Sequence, residues 1–133
     1  MRKIAALALL MAMLPQIAGC AVAQASGYAG YASPRDTLQT YFGSAMKADY
    51  PTTYRAYYAH YRDLVARDEF VSHRKQASLL TAYRIDALSQ SGESAVATAT
   101  LTFAPRGGET KPRVTVVRED LVRESGSWKI RVW

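Results

Sequence analysis

The hydrophobic period of this chain changes once, near Leu80, and that change limits the fold more than any other feature. Before it, apolar residues recur at i, i+3, i+4 and i+7, the spacing of helices; after it they alternate in twos, the spacing of strands. Residues 94–104 alternate most clearly. Ala95, Ala97, Ala99, Leu101 and Phe103 point one way, and Val96, Thr98, Thr100 and Thr102 the other. Residues 83–89, 113–124 and 127–133 read as three further strands, the last with Trp128, Ile130 and Val132 on one face. Residues 90–93 form a turn, and residues 105–112, with Gly107-Gly108, a loop. Ser125-Gly126 is a two-residue hairpin turn, which sets Leu121 opposite Ile130 and Arg123 opposite Trp128.

The helical half opens at Ser33-Pro34-Arg35-Asp36. Ser33 can cap, Pro34 suits the first helical position, and Asp36 sits near the positive end of the dipole. Leu38, Tyr41, Phe42, Ala45 and Met46 then form one apolar face of a helix ending near Lys47 or Ala48. Asp49-Tyr50-Pro51 interrupts it, because the residue before a proline is pushed out of the helical region. A second helix restarts at Pro51 or Thr52, with Tyr54, Tyr57, Tyr58, Tyr61, Leu64 and Val65 as one continuous stripe. Asp68 is placed to cap a third, whose apolar positions are Phe70, Val71, Ala77, Leu79 and Leu80.

Helices in one run followed by antiparallel strands imply an α+β fold, the helices packed on one face of a curved sheet of about four strands. This order resembles the NTF2-like, or cystatin-like, superfamily, and more narrowly its small exported lipoproteins that carry a domain of unknown function. The matching residues are the first helix leading to Lys47-Ala48-Asp49-Tyr50, the Asp68-Glu69-Phe70 helix start, the strand from Gly92 to Phe103, and Gly126-Ser127-Trp128-Lys129-Ile130. The resemblance covers roughly residues 34–133. It implies a cone with a pocket between helices and sheet, on a fold that hosts isomerases, dehydratases, transport factors and assembly modules.

Residues 1–20 have the parts of an export leader. Arg2 and Lys3 make a positive start, and residues 4–14 an apolar run short for a membrane span. Ile17-Ala18-Gly19-Cys20 resembles the bacterial lipobox. That resemblance implies cleavage before Cys20, a signal peptide over residues 1–19, and fatty acylation of Cys20, the single cysteine of the chain. Two other readings of the same residues are an uncleaved anchor across 4–23 and ordinary cleavage after Ala23 or Ala25. Ala21 follows the cysteine where enteric lipoproteins retained at the inner membrane have aspartate. By resemblance this points to the periplasmic face of the outer membrane. Residues 20–33 then form the lipidated cysteine and a flexible tether rich in Ala, Gly and Ser, holding a domain of residues 34–133 on the order of 20 Å from the bilayer. Tyr28 and Tyr31 either rest in the headgroup layer or lie solvated or packed on the domain. The formal charge of +6, two units of it in the leader, favours anionic surfaces and is no nucleic-acid signature.

No constellation amounts to a catalytic or metal site, and none implies a cofactor. His60 and His73 lie far apart without a cysteine beside either. His60 with Asp63 can be drawn as a proton-transfer pair, but a half-exposed histidine on an amphipathic helix is the expected arrangement. Either Glu119 or Asp120 can face inward as a catalytic carboxylate; pairing with Arg118, Arg123 or Arg131 on the open sheet face is the expected arrangement. The distinctive feature is the tyrosine stripe, which suits core packing with hydroxyls at the rim, or a pocket or interface. The expected protein is a non-enzymatic, membrane-anchored binding or assembly module for a hydrophobic ligand or an envelope partner. Tyr54, Tyr57, Tyr58, Tyr61 and Phe103 are its candidate pocket residues. The alternative is a pocket enzyme of the isomerase or dehydratase kind.

Cys20→Ala should abolish the lipid-modified form. Fatty-acid labelling and mass spectrometry of the mature N-terminus decide this, and a mature protein with unmodified Cys20 contradicts it.

Overall fold

The computed structural model describes residues 27–133. The expected leader, Cys20 and the first part of the expected tether lie outside the described residues. Ser33 opens the first helix as its side chain suggests. Its Oγ accepts the Asp36 N–H at 3.1 Å, and Pro34 takes the first position of α1 (Pro34–Met46). The helix stops where Ala48 adopts left-handed backbone, φ 55°, letting the Asp49 N–H return to the Ser44 carbonyl at 2.9 Å. Leu38, Tyr41, Phe42 and Ala45 are buried as their spacing predicts, while Met46 remains exposed. A second row, Thr37, Thr40 and Ser44, is also buried, each hydroxyl hydrogen-bonded.

The expected tyrosine helix is two helices, α2 (Tyr50–Arg55) and α3 (Ala59–Leu64). The chain leaves the helical path at Ala56–Tyr58 because backbone groups there pair with a strand. The Tyr58 N–H donates to the Ile130 carbonyl and the Ile130 N–H to the Ala56 carbonyl, each at 2.8 Å. The stripe is therefore not one helical face. The last helix, α4 (Arg67–Gln76), is capped at Ala66, whose carbonyl accepts the Phe70 N–H at 3.0 Å; Asp68 lies inside its first turn. Of the apolar positions assigned to it, only Phe70 is buried within the helix. Ala77 and Leu79 are exposed beyond its end, and Leu80 begins the sheet.

The strands are β1 (Leu80–Ser91), β2 (Ser94–Phe103), β3 (Arg113–Glu124) and β4 (Ser127–Arg131), antiparallel and in sequence order. Leu121 faces Ile130 and Arg123 faces Trp128, as the hairpin turn requires. Ser125 and Gly126 both take positive φ, 48° and 81°, the combination that matches the strands' twist. Ala95, Ala97, Ala99 and Leu101 of β2 are buried against the helices, and Thr98, Thr100 and Thr102 lie on the outer face. The small alanines let α1 come close to the sheet, so Phe42 reaches across to Tyr83, ring centroids 5.2 Å apart.

Part of the expected tether is docked. The Tyr28 hydroxyl donates to Asp49 at 2.8 Å, Gly30 exchanges two 2.9 Å hydrogen bonds with Thr40 Oγ1, and the Tyr31 carbonyl accepts the Trp128 N–H at 2.9 Å. Tyr28 and Tyr31 are thus packed on the domain.

Trp128 is 4% exposed. Trp128→Ala should destabilise the domain by about 3–5 kcal/mol, the range for an emptied aromatic core site. Denaturant unfolding of both proteins measures it, and an unchanged midpoint contradicts the placement.

Candidate functional site

The parity of β3 decides where its acids go. Glu119 lies two residues before buried Leu121 and pairs with Ala97, so its side chain faces the helices. Asp120 faces out and pairs with Arg118 at 3.1 Å. The arrangement expected for both acids therefore holds for Asp120 alone.

Glu119 lines a small cavity, about 50 Å³, shared with Tyr41, Tyr50, Leu101, Phe103 and Arg74. Burial pushes its carboxyl up to about 7 against the opposing pull of the Arg74 charge, with Asp120 adding a smaller push upward. Arg74 donates to the Tyr41 hydroxyl at 3.2 Å, and the Tyr41 and Tyr57 hydroxyls are 2.6 Å apart. The guanidinium lies over the rings of Phe70, at 5.4 Å, and Tyr41, at 6.0 Å. Burial raises the Tyr57 and Tyr41 hydroxyls above their ordinary range, so both stay neutral. A hydrogen-bonded string thus runs from Arg74 through Tyr41 to Tyr57 inside an aromatic interior, and Glu119 shares the cavity beside it.

On the other side of Arg74 is an open groove of about 380 Å³, lined by Tyr57, Tyr61, Val65 and Phe70, with Glu69 and His73 beside Arg74. Tyr57 and Tyr61 stack at 4.2 Å, and Phe70 stands edge-on to Tyr57 at 5.5 Å. Its volume lies within the range of small-molecule sites, whereas the inner cavity has room for a few water-sized groups.

The five candidate pocket residues separate. Tyr57 and Tyr61 meet in the groove, and Phe103 lines the inner cavity. Tyr54 and Tyr58 line neither. The Tyr54 hydroxyl donates toward the Arg62 and Val65 carbonyls at 2.9 and 2.6 Å, closing α3, and the Tyr58 hydroxyl donates to the Trp133 carbonyl at 2.5 Å. His60 is exposed beside Tyr58 and Trp133, and no hydrogen bond joins it to Asp63. Sequence reasoning missed Tyr41, Phe70 and Arg74 as site residues. The available signal was the one-turn spacing of Phe70 and Arg74, which puts both on one face of α4. Among the described residues, no three His, Cys, Asp or Glu side chains group to hold a metal ion, and no helix is long and apolar enough to cross a membrane.

No protein-family model matches the chain, and no curated protein does. Solved structures do. A SEC-C motif containing protein from Rhodopseudomonas palustris superposes with TM-score 0.68 at 17% identity, covering 86% of this chain and 87% of that one. A protein described as a calcium/calmodulin-dependent protein kinase type II association domain, from Thiobacillus denitrificans, gives 0.59 at 10% identity over 76% and 91%. An NTF2-like transpeptidase from Campylobacter jejuni gives 0.51 at 11% identity, over 76% of this chain and all of that one. At these identities the likeness is one of fold: the domain is an NTF2-like α+β structure.

The raised Glu119 carboxyl carries a pH signature. Its folded value, about 7, lies above the ordinary carboxylate value near 4.5, so the fold binds the proton more tightly than the unfolded chain. Stability from this group is full below pH 4.5 and is lost as pH rises through 7. Glu119→Gln should remove that dependence and gain about 2–3 kcal/mol over the wild type at pH 8. Urea unfolding at pH 5 and pH 8 measures it; equal pH slopes for the two proteins contradict the inward carboxyl.

Proposed function

We propose that this chain is a lipid-anchored envelope protein, held through Cys20 on the periplasmic face of the outer membrane, and that its NTF2-like domain is a non-enzymatic binding module. The observation that carries the reading is the division of space around Arg74. The interior is filled by rings and leaves about 50 Å³ at Glu119, while the open groove of about 380 Å³ presents stacked Tyr57 and Tyr61 above Phe70. A ligand or partner side chain with a flat apolar body fits that floor, and Arg74 and His73 offer polar contacts at its margin. The alternative partner class, an envelope protein presenting an aromatic or aliphatic side chain, uses the same floor.

A second reading, an enzyme of the isomerase or dehydratase kind, draws support from Glu119 itself. A shielded carboxyl poised near neutrality, close to an arginine and a neutral tyrosine, has the acidity of a general base. Against it stands the size of the cavity, which admits no substrate of several atoms without movement of Phe103 or Tyr50.

Anilinonaphthalene sulfonate, with a flat apolar body and one anionic group, is a suitable probe. It should bind saturably, and Tyr61→Ala should weaken it about tenfold, the ~1.4 kcal/mol of a lost aromatic contact. His60→Ala should leave it unchanged. Fluorescence titration measures this, and equal affinity for wild type and Tyr61→Ala refutes the groove. If Glu119→Gln abolished a cellular phenotype in a folded, lipidated protein that Tyr61→Ala left intact, the enzyme reading would replace this one.

A further inference from the structure

The place where the chain enters the domain is surrounded by positive charge. Lys47, at the end of α1, sets its ammonium 4.9 Å from the Tyr28 ring centroid, and Lys129 of β4 sits 3.6 Å over the Tyr31 ring. Lys129 also donates to the Arg55 carbonyl at 2.9 Å. Arg55 lines a shallow depression of about 220 Å³ with Tyr28, Tyr31 and Asp49. Burial, then the nearby charge of Arg62 and Arg55, pushes the Lys129 ammonium below its ordinary range, Glu124 opposing. Lys129, Arg62 and Arg55 are thus close enough to feel one another, and Lys47 stands beside Tyr28 at the same entry point.

None of the four is ion-paired among the described residues. Elsewhere on the surface, Arg84 pairs with Asp86 and Arg118 with Asp120. The acids within this region are engaged by neutral donors: Asp49 accepts from Tyr28 and Thr52, and Glu124 accepts the Ala59 N–H. A cluster of cations on one face makes a positive surface that attracts an anionic partner.

Reach selects the partner. Because the chain is docked from Tyr28 onward, the span between Cys20 and the domain is residues 20–27, at most about 29 Å when fully extended. With Cys20 in the bilayer, that span returns to the domain at Lys47, whose ammonium is within 3.9 Å of where a Gly27 side chain would begin.

We infer that the face carrying Lys47, Arg55, Arg62 and Lys129 around docked Tyr28 and Tyr31 lies against the membrane and binds anionic lipid headgroups, so that the anchor and this surface together set the domain's orientation. This rests on the lipid-anchor reading. Each cation near a charged bilayer contributes about fivefold in association, screened by salt.

The test uses the full lipidated protein, inserted from detergent into preformed vesicles of phosphatidylcholine alone or mixed with phosphatidylglycerol. Flotation first reports anchoring. Amine acetylation read by mass spectrometry then compares Lys47 and Lys129 with Lys75 and Lys111, which lie on α4 and in the loop before β3. In phosphatidylglycerol vesicles, Lys47 should be acetylated about fivefold more slowly than in phosphatidylcholine, with Lys75 and Lys111 unchanged. High salt or Arg55→Glu should weaken the protection. A protein that floats but shows equal Lys47 reactivity in both vesicles overturns the face and leaves the anchor standing. One that does not float overturns the anchor reading, and the face with it.

Discussion

The outer edge of β4 is the constraint on which the other elements depend. An edge strand presents a row of unpaired donors and acceptors, and among the described residues no fifth strand covers it. Four groups from the helical half do so. The Tyr31 carbonyl takes the Trp128 N–H, Thr37 Oγ1 donates to the Trp128 carbonyl, the Ala56 carbonyl takes the Ile130 N–H, and the Tyr58 N–H donates to the Ile130 carbonyl. These bonds fix α1 against the sheet, hold residues 28–31 on the surface, and break the tyrosine run into α2 and α3. They also leave Trp128 and Ile130 facing the core, because groups that point along the edge leave the side chains perpendicular to it.

Breaking the tyrosine run is what separates the two spaces around Arg74. Had residues 51–65 continued as one helix, Tyr54, Tyr57, Tyr58 and Tyr61 would have presented a single stripe. With the turn at Ala56–Tyr58, Tyr58 is directed to the C-terminal end of the sheet, Tyr54 closes α3, and Tyr57 enters the core beside Tyr41. Tyr61 returns over Tyr57 to form the groove floor. Phe70 and Arg74 of α4 complete the partition, the ring packing on Tyr54 and Tyr57 and the guanidinium reaching Tyr41.

Much of this was legible in the sequence. Local rules set the α1 cap at Ser33, the register of the β3–β4 hairpin and the alternation of β2, and each agrees with the fold as a whole. What was not legible depends on contacts between distant segments. The helical period of residues 54–65 is real, yet the two backbone bonds to Ile130 outweigh it. Nothing local signals that Gly30 and Tyr31 would find partners in Thr40 and Trp128, since an Ala-Gly-Ser-rich stretch without periodicity reads as a tether. The α4 start lies at Ala66 rather than Asp68, without a side-chain cap, and Asp68 and Glu69 sit instead in the first turn, where the positive end of the helix dipole favours their charge.

Glu119 differs from those cases, because its position follows from a register the sequence already supplies. The Ser125-Gly126 turn sets Leu121 opposite Ile130, and Ile130 shares a face with Trp128, so Leu121 is inward. A strand's period of two then carries Glu119 inward and Asp120 outward. Neighbouring arginines at 118, 123 and 131 suggest surface pairing for both acids. Yet Arg123, at even spacing from Leu121, lies four residues along the strand from Glu119 and pairs with Glu93 at 3.6 Å, and Arg118, at odd spacing, shares the outer face with Asp120 and cannot meet Glu119 without a bulge in β3. The structure has none between β2 and β3, whose pairing runs unbroken from Ser94↔Val122 to Phe103↔Arg113. Parity outranks proximity in sequence, and it leaves Glu119 with a cation from a different element, Arg74 of α4, as its electrostatic counterpart.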